Sequence, residues 1–243
     1  MTPATARRRL IVALDVETLR EARGLVRTLA GEVAWFKVGK QLFVQAGPEA
    51  VRMVRRAGAD VFLDLKFHDI PHTVAQATVE AARLGARMVN VHASGGLEMM
   101  RDARDETARV CRREGLTRPL LLAVTVLTSM DDGDLRRVGV RDSAASQVMR
   151  LARLARQAGL DGVVASPREA TRIRRAAGTR FRIVTPGVRP SGAAPSDQKR
   201  VLTPRAAIAA GADYLVVGRP IRDAADPVQA VRAIVGEMAG QMR

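Results

Sequence analysis

The stretch Gly58-Ala-Asp-Val-Phe-Leu-Asp-Leu-Lys-Phe-His-Asp-Ile-Pro-His-Thr73 carries both the repeating unit of this chain and its most unusual chemistry. Gly58 closes a segment of helical periodicity, Glu49–Arg56, because glycine tolerates the left-handed conformation that a helix C-terminus often needs. A strand follows over Val61–Lys66, rich in β-branched and apolar residues, and it breaks at Pro71. Positions i and i+2 of a strand share a face, so Asp64 and Lys66 project the same way, roughly 6–7 Å apart along the backbone. Asp69 comes where the strand gives way to a loop. An apolar strand ending in acid, base and acid is costly unless the charges satisfy one another or a ligand. A structural ion pair is the plainer alternative. The choice of base favours a site: Lys37, Lys40, Lys66 and Lys199 are the only lysines among 40 Lys and Arg residues. Arginine stays protonated, whereas a compact ammonium can pass on a proton.

Outward from this stretch, the same unit recurs. Gly85-Ala-Arg87, Gly159-Leu-Asp161 and Gly211-Ala-Asp213 each precede another strand-like run. The runs are Leu10–Asp15, Ala34–Val38, Val61–Lys66, Met88–His92, Leu120–Leu127, Gly162–Ser166, Phe181–Thr185 and Tyr214–Val217. Helical periodicity fills the intervals, as over Ala144–Gln157. Continuous apolar strands alternating with helices predict a parallel α/β sheet, and eight of them predict a (β/α)8 TIM barrel. An open doubly wound sheet is the alternative, since counting strands does not prove closure. At 243 residues the chain is long enough for one such domain, with residues 1–8 expected as a flexible N-terminus.

In a barrel the functional groups gather where strands run into their following loops. Those positions carry Asp15, Lys37, Asp64 with Lys66, His92, Thr125 to Ser129, Ser166, Arg189 and Gly218-Arg219. Gly218-Arg219 sets backbone N–H groups beside a guanidinium, which suits a phosphate. Residues 189–200 form a long loop of small and polar residues and prolines, the composition of a lid over that phosphate. His68 and His72 flank a proline that breaks the helix two metal ligands would need, so no metal site is expected.

Composition bounds the rest. A net charge of +15 invites a nucleic-acid reading, but the arginines are scattered over helical faces and aromatics make up only 3% of the chain, leaving few stacking platforms. Arg7-Arg-Arg9 before a short apolar run ended by Asp15 is too brief for an export signal. One cysteine, Cys111, excludes an internal disulfide and fits a reducing cytoplasm.

Taken together, Ala13-Leu-Asp15, Phe36-Lys-Val-Gly39, Asp64-Leu-Lys-Phe-His-Asp-Ile-Pro71, Val91-His-Ala-Ser94, Val126-Leu-Thr-Ser129, Thr185-Pro-Gly-Val-Arg189, Asp197-Gln-Lys-Arg200 and Val217-Gly-Arg219 resemble orotidine 5′-phosphate decarboxylase of the bacterial type. The D-x-K-x-x-D element alone is shared with related sugar-phosphate decarboxylases and synthases; the other elements narrow it. The resemblance implies a homodimeric barrel converting orotidine 5′-monophosphate to UMP and CO2, the last step of de novo pyrimidine synthesis, with no metal or organic cofactor. By position, Lys66 would protonate C6 and Asp64 would stand beside the substrate carboxylate. Lys37 and Asp69 would complete the charge network, Asp69 and Thr73 reaching the neighbouring subunit's site. Asp15 and Lys37 would hold the ribose, and Thr128 and Ser129 the pyrimidine. Arg189, Gln198, Gly218 and Arg219 would serve the phosphate and the lid. A magnesium-dependent sugar-phosphate decarboxylase or aldolase on the same barrel is the nearest rival.

Overall fold

Eight parallel strands close on themselves in this computed structural model, which describes residues 1–190 and 202–240. The strands are β1 (Leu10–Ala13), β2 (Trp35–Gly39), β3 (Asp60–Phe67) and β4 (Met88–His92) in the first half. β5 (Leu120–Val124), β6 (Gly162–Val164), β7 (Arg182–Thr185) and β8 (Tyr214–Val217) complete the ring. β1 pairs with β2 on one side and with β8 on the other, Val12 standing opposite both Phe36 and Val217, so no open sheet edge is left. Closure rules out the doubly wound alternative. The chain is one TIM barrel.

Apart from α1, which precedes β1, the helices follow the strands. In chain order they are α1 (Pro3–Arg7), α2 (Leu19–Leu29), α3 (Lys40–Ala46), α4 (Glu49–Arg56), α5 (Pro71–Arg83) and α6 (Gly96–Glu114). Then come α7 (Asp132–Arg137), α8 (Ala144–Gln157), α9 (Ala170–Ala177), α10 (Pro204–Ala209), α11 (Arg219–Arg222) and α12 (Pro227–Ala239). Thr18, Ser143, Thr203 and Asp226 cap α2, α8, α10 and α12, each side chain accepting an N–H of the first turn. The helix-closing glycines Gly58, Gly85, Gly159 and Gly211 all have φ between 77° and 105°, as their place before a strand predicts.

Strand alternation splits the core in two. Ile11, Trp35, Phe62, Met88, Leu122 and Val184 point into the barrel. Val12, Leu63, Val89, Ala123 and Ile183 point out and pack beneath the helices. Within residues 1–8, Thr2 caps α1 and Ala6 is buried in the outer core. Three strands end earlier than the sequence suggests. β5 stops at Val124 instead of Leu127, and β6 at Val164 instead of Ser166. β1 ends at Ala13, two residues before Asp15. In each case the strand has already splayed into the loop that walls the cavity, so apolar Val126 and Leu127 line that cavity and leave the ladder.

The opposite end of the barrel explains several arginines. Asp161 and Asp213, from the Gly-x-Asp repeats, each accept the backbone N–H of a neighbouring strand, Leu121 and Ile183, at 2.8 Å. Arg118 and Arg174 pair with those carboxylates, as Arg55 does with Asp60. These brackets tie strand starts together, away from the loops where chemistry would occur.

Candidate active site

At the carboxyl ends of the strands a cavity of about 460 Å³ opens, inside the ~300–1,000 Å³ range of small-molecule sites. Its apolar surface comes from residues such as Phe62, Val124, Val164 and Val216, and its polar groups from the strand ends above them. The sequence-selected residues Asp15, Lys37, Asp64, Lys66, Thr128, Ser129, Arg189, Gly218 and Arg219 all line it. Asp69 and Thr73 do not; both are exposed, Asp69 on the loop after β3 and Thr73 in the first turn of α5. Gln198 and the centre of the expected lid lie outside the described residues, but the base of that loop is visible. Val188 bridges Leu202, and the Arg189 N–H donates to the Leu202 carbonyl at 3.0 Å.

Four charges alternate along one chain of contacts. Lys37 Nζ lies 2.8 Å from Asp15 Oδ1 and 3.3 Å from Asp64 Oδ2. Lys66 Nζ lies 2.6 Å from the other oxygen of Asp64. Burial opposes charge on both Lys37 and Asp64, but their partners win. Asp64 and Asp15 hold the Lys37 ammonium above its ordinary range. Lys37 and Lys66 hold the Asp64 carboxyl below its own. Both groups are therefore ionised in a site where an unpaired charge would be strongly penalised. Gly39, in phase with Lys37 on β2, keeps this contact possible, since a Cβ there would sit 3.0 Å from both Asp15 Oδ1 and Lys37 Nζ.

Sequence reasoning missed Asn90. This wholly buried amide on β4 donates to Asp64 Oδ1 at 2.7 Å and completes the carboxylate's shell. Its signal was present: a polar residue in an apolar strand, in phase with in-facing Met88. Arg222 was missed too; it lines the cavity and donates to the Asp15 carbonyl. His92 stacks near His68 with ring centroids 5.5 Å apart. Burial, then the charges of His68, Lys40 and Lys66, push the His92 imidazole down to about 4, so it is neutral near pH 7. Among the described residues, no three His, Cys, Asp or Glu side chains are grouped so as to hold a metal.

A charged constellation at the carboxyl ends of a closed, eight-stranded parallel barrel defines an enzyme of the TIM-barrel class. The chain belongs to the orotidine 5′-phosphate decarboxylase / HUMPS family, whose model matches residues 8–234. It is 57% identical over 237 residues to the orotidine 5′-phosphate decarboxylase of Syntrophotalea carbinolica, covering 98% of this chain and 97% of that protein. The same identity, over 234 residues and 96% of each chain, relates it to the protein of that name from Pelobacter propionicus. The crystal structure of orotidine 5′-phosphate decarboxylase from Lactobacillus acidophilus superposes with a TM-score of 0.83 at 38% identity, covering 95% of this chain and 99% of that one.

Proposed function

We propose that the chain decarboxylates orotidine 5′-monophosphate to UMP and CO2, closing de novo pyrimidine synthesis, with Lys66 as proton donor. The observation that carries this reading is the contiguous Lys37–Asp64–Lys66 chain at the mouth of the barrel, in a chain 57% identical to proteins bearing that name.

The chemistry asks for what these residues offer. When the bond from C6 to its carboxylate breaks, the electron pair stays on a ring carbon with little delocalisation, and neutral CO2 departs. An ammonium fixed beside that carbon stabilises the developing charge before it moves a proton. Lys66 then gives an N–H proton to C6, becomes a neutral amine, and is recharged from water. Asp64 and Lys37 hold it in place and keep the network charged in a cavity walled partly by apolar side chains. Asp64 is assigned to stand beside the departing carboxylate, Asp15 and Lys37 to hold the ribose, and Thr128 and Ser129 to meet the pyrimidine.

Arg189, Gln198, Gly218 and Arg219 are assigned to the phosphate. Binding energy gained there, far from C6, would be used to close residues 189–200 over the substrate. Support comes from Arg189 and Arg219 lining the same cavity as the lysine network. Asp69 and Thr73 are assigned to the neighbouring subunit's site in a homodimer; their exposure on this chain is compatible with that role. No metal or organic cofactor enters the scheme. A cytoplasmic enzyme fits the single, buried Cys111, and no helix among the described residues is long and apolar enough to cross a membrane.

The test is turnover of orotidine 5′-monophosphate in excess chelator, following loss of the orotate ultraviolet band and appearance of UMP. Sustained UMP formation is expected. No turnover by the folded protein would contradict this reading, and turnover of a sugar phosphate once magnesium is supplied would move the chain to the metal-dependent branch of this barrel.

A further inference from the structure

The pairing of β3 with β4 contains an irregularity centred on the site. Leu63 stands opposite Val89, and the next paired residues are Phe67 and Val91. Three residues of β3, Asp64, Leu65 and Lys66, are thus set against a single residue of β4, Asn90. A bulge of this kind bends the strand, re-aims its side chains and deprives backbone groups of their ladder partners. Here Lys66 takes a φ of 55°, the one non-glycine residue with positive φ among the described residues. Side chains other than glycine resist that region, so the surroundings must hold it.

Asn90 is placed to do so. Its Oδ1 accepts the Lys66 backbone N–H at 2.8 Å, replacing the lost ladder partner. Its Nδ2 donates at 2.7 Å to Asp64 Oδ1, the same oxygen that the Lys66 ammonium meets at 2.6 Å. The amide cannot be turned over without loss. A backbone N–H only donates and a carboxylate only accepts, so the carbonyl end must face Lys66 and the NH2 end must face Asp64. One wholly buried side chain therefore grips the backbone of Lys66 and the head group of Asp64 together.

We propose that Asn90 is a positioning residue for the reaction: it holds Lys66 in the left-handed backbone conformation from which its ammonium reaches over Asp64, and it orients the Asp64 carboxylate. This rests on the decarboxylase reading above. Asn90 acts through Lys66 and Asp64 and is given no contact with substrate. The bland alternative is that it only satisfies the bulge and supports folding.

Two variants separate these. Asn90→Ala removes both hydrogen bonds, and Asn90→Asp keeps an acceptor for the Lys66 N–H but replaces the donor with a second carboxylate. For each, kcat per folded molecule, affinity for UMP and the pH dependence of kcat would be measured, with circular dichroism giving the folded fraction. Misplacing a reacting group by about 1 Å can cost about a hundredfold, so kcat for Asn90→Ala should fall by about that factor. UMP affinity should change less than about threefold, since binding draws mainly on remote contacts. In Asn90→Asp two adjacent carboxylates compete for one proton, so the acid limb of kcat should move to higher pH.

Wild-type kcat per folded molecule in Asn90→Ala, or loss of kcat only in step with the folded fraction, would overturn the proposal. Where the alanine variant does not fold, the aspartate variant decides: a wild-type kcat with an unmoved acid limb overturns it. A wild-type protein that leaves orotidine 5′-monophosphate untouched would overturn the decarboxylase reading itself, and this positioning role with it.

Discussion

At the scale of single residues, the site is built from charges that would each be costly alone. Lys37 and Asp64 are buried, yet each is kept ionised by the other and by Asp15 and Lys66. The signs set a pH window. The lowered Asp64 contributes stability that is present above its unfolded value of 3.8 and is lost as pH falls through its folded value. The raised Lys37 contributes stability that is present below 10.5 and is lost as pH rises through its folded value. His92 works in the other sense. Its folded value of about 4 lies below the ordinary 6.5, so between them the unfolded chain binds more protons. Stability should therefore drain away as pH drops from 6.5 toward 4, with burial first, then His68, Lys40 and Lys66, opposing the new charge and Asp64 favouring it. His92→Asn should lose less denaturation midpoint than wild type between pH 7 and pH 5. Equal losses would mean that His92 is not the group responsible.

At the scale of elements, each strand has a structural start and a chemical end. Asp213 at the start of β8 accepts the Ile183 N–H and pairs with Arg9, Arg174 and Arg182. Asp213→Ala would leave the Ile183 N–H without its acceptor and take the carboxylate from Arg174, which keeps the carbonyls of Gly178, Phe181 and Gly211; losing such a charged hydrogen-bond partner costs about 1–3 kcal/mol. The expected outcome is a lowered denaturation midpoint with kcat per folded enzyme unchanged; a lowered kcat would mean that the two ends are coupled. This division of labour was only half legible beforehand. The Gly-x-Asp repeats marked helix ends and strand starts, because glycine's need for positive φ is local and visible in one sequence. The second role of their aspartates depends on which strand lies alongside, which is decided by tertiary closure. The same holds at the other end. Asp64 and Lys66 were legible through period-two alternation, although they meet through a bulge and not through a regular strand. Asn90 was not, since its meaning depends on a register shift between β3 and β4 that no local pattern announces. The early ends of β5 and β6 escaped for a related reason: Val126 and Leu127 are apolar because they wall a cavity, and periodicity alone cannot tell that from a strand.

At the scale of the whole molecule, a closed barrel gathers residues from Asp15 to Arg219 around one cavity while leaving Asp69 and Thr73 outside it. If those two complete a partner's site, Lys66→Ala mixed with Asp69→Asn should regain activity through hybrid dimers. Such dimers hold one intact site, so up to about half of each hybrid's two sites would work. No recovery despite proven subunit exchange would count against sharing. In the proposed reaction, a barrel held together by ordinary packing presents one ammonium, that of Lys66, to a carbon losing CO2. The most direct test is Lys66→Ala, assayed for conversion of orotidine 5′-monophosphate to UMP alongside UMP binding by calorimetry. A positioned general acid supplies about 10²–10⁴-fold, and this one is also the nearest stabilising charge. In this variant kcat should fall by at least about a thousandfold, with UMP affinity within a few-fold of wild type. A kcat near that of wild type in the folded variant would contradict the role of Lys66 as proton donor.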